Sequence, residues 1–236
     1  AAQNGTHLWL VGGGVRDLIL GNPLNDFDLT SETSAKDLAT QFNTIFNARI
    51  KSRSQFDTAQ LIINGITLDL ATSRKEAYST PGSLPKISPA KIEDDLKRRD
   101  FSVNALAASL HPNGLGVLLD VTGGYEDLQH RILRVLHTQS FQDDPSRIFR
   151  SIRYSTRLQL SIEEQTSHLI DDNIKYIDLL SPARMRREIE KLLHEKDAPK
   201  IILKLAQLNI LSKVHPVFSL ENVKDPILQT VHRNLN

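Results

Sequence analysis

Residues 8–30, LWLVGGGVRDLILGNPLNDFDLT, decide how the rest of the chain is read. Leu8 to Val11 is a short apolar run with the character of a strand. Gly12, Gly13 and Gly14 follow at once, and residues 15–20 then have the apolar spacing of a helix. A strand, a glycine turn and a helix start bring backbone N–H groups close to an anion. Gly21-Asn22-Pro23 breaks the chain, and Asp26-Phe27-Asp28-Leu29 reads as a second strand. Alternate side chains on a strand share a face, which puts Asp26 and Asp28 on one side and Phe27 and Leu29 on the other. Adjacent carboxylates repel unless a cation joins them, and oxygen-only ligands suit Mg²⁺. Each feature alone also has a plain reading. Glycines after a strand make turns, and an Asp-x-Asp pair occurs on solvated strands.

Taken together, with Arg16 and Asp17 behind the glycines, the features are more specific. The stretch resembles the head-domain signature of class II tRNA nucleotidyltransferases and bacterial poly(A) polymerases. That signature is a GGxVRD segment followed by DxD, here Gly12-Gly13-Gly14-Val15-Arg16-Asp17 and Asp26-Phe27-Asp28. The resemblance implies an α+β fold: a polymerase β-like nucleotidyltransferase head with a mixed sheet, followed by an all-helical neck. It also implies metal ions on Asp26 and Asp28, and triphosphate contacts from Gly13 and Arg16.

The chain has 236 residues with 39% hydrophobic and 24% charged content, enough for one large or two small domains. Formal net charge is only +1, so any basic surface for nucleic acid must come from local clustering. There is no cysteine, which excludes disulfides and thiolate metal sites. No run approaches membrane-spanning length and the first residues lack a signal-peptide pattern, so the chain reads as intracellular, cytoplasmic or organellar, with no membrane partner. The abrupt start and the ending at Asn236 read as cuts within a longer chain.

Beyond the first stretch, Thr33 or Ser34 is placed to cap a helix running to about Phe42, with Asp37 in its first turn. Residues 46–50 and 58–63 read as strands. Asn64-Gly65 is a strong two-residue hairpin signal joining 58–63 to a strand at 66–71. In that last strand Asp69 is a polar residue in an apolar setting. It is either a solvated edge charge or a third carboxylate beside Asp26 and Asp28, and the resemblance favours the second. Residues 72–92 hold Pro81, Gly82, Pro85 and Pro89 and fit no regular element, so a long loop is expected, one that in the resembled family takes part in switching between nucleotides.

Arg98-Arg99-Asp100 then precedes Val103, Leu106 and Ala107, whose spacing predicts a helix with the arginines at its positive end. A surface ion cluster is the plain alternative. The string matches the family's RRD motif with its following Asn-Ala, and this implies ribose and triphosphate contacts by Arg98, Arg99 and Asp100, with Asn104 nearby. Residues 117–120 read as the last strand of the first domain. Gly123-Gly124 resembles the family's connector, so the expected domains are 1–128, the catalytic head, and 129–236, a helical neck and start of a body that selects the nucleotide and binds RNA.

Asp143-Asp144-Pro145 can start a helix on which Arg147, Arg150, Arg153 and Arg157 recur at helical spacing. Such a row is either a solvated face or a multi-donor recognition surface. The string resembles the family's EDxxRxxRxxRF motif, with Asp143 for the usual Glu and Tyr154 for the usual Phe. In that motif an acid and an arginine hydrogen-bond the Watson–Crick edge of the incoming base, and Asp144 and Arg147 fall on those positions. The resemblance implies that Arg150 and Arg153 belong to the same nucleotide-binding group. Further helices are expected at 161–171, from Ser181-Pro182, whose basic residues either meet phosphate or, as the preferred reading, pair with Glu188 and Glu190, and at 201–211.

The reading implied by the resemblance is transfer of C or A nucleotides from CTP or ATP, with Mg²⁺, to the 3′ end of tRNA. The alternatives are a poly(A) polymerase, a CC-only or A-only enzyme, or a catalytically silent RNA-binding relative.

Overall fold

The computed structural model describes residues 5–54, 56–215, 217 and 218, leaving aside the side chain of Arg53. The expectation for Asn236 lies outside the described residues. The chain forms two compact units: residues up to 77 with 85–130, and residues 78–84 with those from 131 onward.

The first unit is built on a seven-stranded sheet. Its strands are β1 (Leu8–Val11), β2 (Phe27–Ser31), β3 (Arg49–Arg53), β4 (Thr58–Ile63), β5 (Ile66–Thr72), β8 (Leu106–Ser109) and β9 (Leu118–Asp120), in the order β3-β4-β5-β2-β1-β8-β9. Within this sheet, among the described residues, only β2 and β5 pair in parallel. Alternate residues of the strands, Leu8, Leu10, Leu29, Leu61 and Leu70, turn to one face. There they bury against Val15 of helix α1 (Gly13–Ile19) and Ala35, Leu38 and Ala39 of helix α2 (Ala35–Phe46). Each such leucine contributes about 1.5–3 kcal/mol on burial. The other face is left to the intervening residues, among them Asp28 and Asp69.

Local signals explain most boundaries. Ser34 caps α2 by accepting the Asp37 N–H. Asn64 and Gly65 both have positive φ, 50° and 82°, which the hairpin between β4 and β5 requires. Helix α2 runs past the expected end at Phe42 to Phe46, because Ile45 and Phe46 continue the helix on its exposed side; Asn47, at φ 52°, ends it. The next strand therefore starts at Arg49 rather than Phe46.

Two expectations are corrected. Residues 72–92 are not a structureless loop: Arg74–Ala77 (β6) and Lys86–Pro89 (β7) pair antiparallel, and helix α3 covers Ile92–Lys97. The hairpin is mostly polar on both faces and is held by its ladder, so it lacks the apolar alternation by which a strand is recognised. Arg98 and Arg99 follow a helix instead of preceding one. Residues Ser102–Asn104 form a 3₁₀ turn, and Leu106 opens β8, which pairs with β1. A short, fully buried apolar run fits a helix or a central strand equally well, and here pairing with β1 decides. Helix α4 (Gly124–Gln129) closes this unit.

The second unit is mostly helical: α5 (Ser140–Asp143), α6 (Ser146–Arg157), α7 (Glu164–Asn173), α8 (Pro182–Leu193), α9 (Ala198–Gln207) and α10 (Ile210–Val214). Its core includes Phe141, Ile148, Phe149, Ile152, Ile170, Leu192, Ile201 and Leu205. It also carries a small parallel pair, β10 (Ile132–Leu133) with β11 (Ser161–Ile162), so it is not all helical, and α7 starts after that strand rather than at Ser161. The single helix expected at 201–211 is two, because Asn209 takes φ 56° between α9 and α10. Ser181 caps α8 as its sequence predicts, accepting the Arg184 N–H.

Candidate active site

In the first unit the parallel register places Asp28 of β2 directly opposite Asp69 of β5. The two lie on the sheet face away from the helices. They line a cleft of about 320 Å³ together with Thr58, Gln60, Arg98 and Arg99. Gln60 donates to Asp69 Oδ1 at 2.9 Å. Burial and the charge of Asp69 push the Asp28 carboxyl above its usual range; Arg99 pulls the other way, and Asp26 adds a smaller upward push. Asp26 itself is exposed and lies one residue before β2, so strand alternation does not set its direction.

The glycine turn stands beside this cleft. Gly12 has φ 70°, and a Cβ there would come within 2.8 Å of Arg99 Nη1. Gly14 packs on the chain before β2: a Cβ would meet Asp26 O and Leu24 Cδ1, both at 2.9 Å. Arg16, 3% exposed, grips Asp17 with Nε and Nη2 at 2.8 and 3.0 Å and donates from Nη1 to Asn104 Oδ1. Asn104 in turn donates to Asp100 Oδ1 at 3.1 Å. Arg16, Asn104 and Asp100 therefore form one chain of hydrogen bonds. Gly13 adjoins it, since a Cβ there would lie 3.3 Å from Arg16 Nη2.

Sequence reasoning passed over Asp95. It is 1% exposed and accepts from Arg98, Arg99 and the Arg74 N–H. Burial raises its pKa, but the charges of Arg99 and Arg98 outweigh that and hold its carboxyl below the usual range. The signal was present as an acid three and four residues before two arginines, and it becomes visible once α3 is recognised.

In the second unit Asp144 precedes α6 and is densely held. Oδ1 accepts from Ser146 N at 3.0 Å, Ser146 Oγ at 2.6 Å and Arg184 Nη2 at 2.7 Å; Oδ2 accepts from Arg150 Nη2 at 2.6 Å. Burial raises its pKa, but Arg150, Ser146, Arg147 and Arg184 together depress it, so the group is a carboxylate. Arg147 is 4% exposed and donates to Ser140 Oγ. Arg184 also donates to Gly82 O at 2.7 Å. No local sequence signal joins Arg184 to Asp144, which come together only through the packing of α8. Arg153 lies 3.9 Å from Glu195 and, with Arg157, flanks the Tyr154 ring.

Among the described residues no three acidic or imidazole side chains converge to cage a metal ion. In kind, the donors suit a hard divalent cation: Asp28 and Asp69 are paired oxygen ligands whose like charges Arg99 offsets only in part. Ions such as Mg²⁺ use one or two carboxylates and complete their shell with phosphate and water. Nor, among the described residues, is any helix long and apolar enough to cross a membrane.

Comparison with known proteins places the chain among nucleotidyltransferase relatives. The chain is 39% identical over 212 residues to an A-adding tRNA nucleotidyltransferase of Geobacter sulfurreducens, covering 89% of this chain and 24% of the relative. It is 37% identical to an A-adding tRNA nucleotidyltransferase of Halalkalibacterium halodurans, covering 89% of this chain and 50% of the relative. A solved apo structure of a CCA-adding enzyme superposes with a TM-score of 0.86 at 37% identity, over 91% of this chain and 51% of that one. The chain thus spans about half the length, or less, of the curated relatives it matches. Residues 159–221 match the family described as "Probable RNA and SrmB- binding site of polymerase A". Residues 8–134, more than half of the chain, match the family described as "Poly A polymerase head domain", and the chain belongs to that family.

Proposed function

We propose that this chain carries the catalytic and nucleotide-selecting part of a template-independent RNA nucleotidyltransferase that adds C, A or both to the 3′ end of tRNA from CTP and ATP. The observation that carries the reading is Asp28 opposite Asp69 on one sheet face, beside Arg98 and Arg99. The nucleotidyltransferase relatives support it, and the A-adding names of two of them make A-only addition the second reading.

The reaction is attack of an RNA 3′-hydroxyl on the nucleotide α-phosphate, with pyrophosphate leaving. Positioning and charge neutralisation dominate such chemistry. Asp28 and Asp69, with Asp26, would hold a divalent cation, and oxygen donors favour Mg²⁺; when bound it neutralises phosphate charge and lowers the cost of the transition state. Arg99 and the glycine turn at Gly13 would face the triphosphate; Arg16, 3% exposed and bonded to Asp17 and Asn104, would hold that turn in place instead of reaching the phosphates itself, and Asp100 and Asn104 would support the sugar side. Residues 1–128 are assigned the chemistry. Residues 129–236 are assigned RNA binding and base choice: Asp144 and Arg147 read the base edge, with Arg150 and Arg153 around them. Since tRNA is the substrate, the place of action is the cytoplasm or an organelle.

The test is incubation with tRNA lacking its 3′ CCA, with ATP and CTP supplied singly and together. Extension that stops when divalent ions are chelated is expected. No extension with either nucleotide, by a folded chain, overturns the reading.

A further inference from the structure

We propose that Asp95 is a positioning residue for the nucleotide: it holds the Arg99 guanidinium across the Gly12 turn as an anion-facing fork, while Arg98 is committed to the fold. The inference rests on the transferase reading above and divides a pair of arginines that the sequence treats alike.

The two arginines are used differently. Arg98 spends its donors on the protein. Nε reaches Asp95 Oδ1 at 3.0 Å and Arg74 O at 3.1 Å, Nη2 reaches Asp95 Oδ1 at 2.6 Å, and Nη1 reaches Glu76 Oε1 at 3.0 Å. Glu76 lies on β6 and also binds Arg74, so Arg98 ties α3 to the β6–β7 hairpin. Among the described residues Arg99 is held on one side, by Nη2 to Asp95 Oδ2 at 2.9 Å. Its buried Nε has no hydrogen-bond partner among the described residues, and its Nη1 lies over Gly12.

Arg99 lines the same cleft as Asp28 and Asp69 and lowers the cost of ionising Asp28. A planar fork with uncommitted donors beside a carboxylate pair matches a polyphosphate, which is multiply charged and multidentate. Asp95 sits between the two guanidinium groups, 1% exposed, and its charge offsets their mutual repulsion. Without it, Arg99 has no anchor to keep it over the glycine turn. Only glycine at position 12 leaves room for that placement.

The test is Asp95→Asn, which keeps the shape and removes the charge. Binding of inorganic tripolyphosphate and of ATP is measured without RNA, KM and kcat with RNA, and folding by circular dichroism and melting. We expect tripolyphosphate binding to weaken, and KM for ATP to rise, by about tenfold, with kcat changed by less than about threefold. In an Arg99→Lys background, adding Asp95→Asn should change binding by less than about twofold, because both act through one contact. Wild-type binding by Asp95→Asn, or losses that multiply in the double variant, would overturn the proposal. If Asp95→Asn does not fold, Arg98→Lys and Arg99→Lys decide. The larger loss of tripolyphosphate binding is expected in Arg99→Lys and the larger fall in Tm in Arg98→Lys, and the reverse order overturns it. A wild-type chain that binds tripolyphosphate yet extends no RNA would sink the transferase reading and leave the binding arm of this test intact.

Discussion

Asp28 is ionised at a cost. Burial and the charge of Asp69 raise its pKa above 3.8, the ordinary value. A carboxyl raised on folding destabilises the native state above its folded pKa, and the penalty disappears as pH falls through that pKa. Asp28→Asn at pH 7 should therefore leave Tm unchanged or up to about 3 °C higher. The same change should slow RNA extension by about a thousandfold, the several kcal/mol that metal neutralisation supplies. Near-normal turnover of Asp28→Asn with Mg²⁺ would break the metal assignment. Asp144 has the opposite setting. Its pKa is depressed, so it remains an acceptor only, while Arg147 offers only donors. Cytosine and adenine present an amino donor beside a ring-nitrogen acceptor, whereas guanine and uracil present a carbonyl beside an N–H. If Asp144 and Arg147 read the base as proposed, a wrong base would leave buried polar groups unpaired at about 1–3 kcal/mol each. Arg147→Ala is expected to lose about tenfold or more of the preference over GTP and UTP, along with rate. Single-nucleotide incorporation of all four triphosphates measures this. A slower variant that keeps its full preference would mean that Arg147, bonded to Ser140, serves the fold.

At the scale of elements, the join between β1 and α1 has little tolerance. Gly14 lies where a methyl group would press on Asp26 O and Leu24 Cδ1 at 2.9 Å. The first contact is backbone, and it belongs to the segment that leads into Asp28. Gly14→Ala should cost about 1–3 kcal/mol as overpacking and lower Tm by about 3–10 °C. It should also slow RNA extension by shifting the carboxylates. Melting curves and extension rates read side by side check this, and a fully stable, fully active Gly14→Ala would show that the two segments are not rigidly joined. By contrast, Ser34 on the opposite face caps α2 and bonds Asp57. Ser34→Ala should lower stability by about 1 kcal/mol and leave the extension rate alone; a changed rate would tie α2 to the chemistry.

For the whole molecule, charge bookkeeping predicts weak RNA binding. The net charge is +1, and much of the positive charge in the second unit is answered within that unit: Arg150 by Asp144, Arg153 and Arg157 by Glu195, Arg186 by Glu190, Lys213 by Asp178. Binding of tRNA by this chain should show a log–log salt slope shallower than about −3, corresponding to roughly four phosphate contacts or fewer. Filter binding over a salt series measures it, and tight binding steeply lost with salt would mean an RNA surface has been misplaced.

What was legible in the sequence was local. Strand, glycine turn and helix at Leu8–Ile19, the Asn64-Gly65 hairpin and the Ser181-Pro182 helix start follow from single residues whose φ, cap or missing N–H dictates the backbone. The motifs around Asp28, Arg99 and Asp144 each lie within one short stretch, so their resemblance to family signatures could be read without the fold. Only the tertiary structure decided that Asp28 faces Asp69, that Leu106 opens a strand against β1, that Asp95 holds two arginines, and that Arg184 of α8 reaches Asp144. Short buried apolar runs carry no period that separates helix from strand, and a polar hairpin such as β6–β7 carries no apolar alternation. Which distant strands pair, and in which register, is set by the burial of the whole sheet face, a property that no single stretch of chain contains.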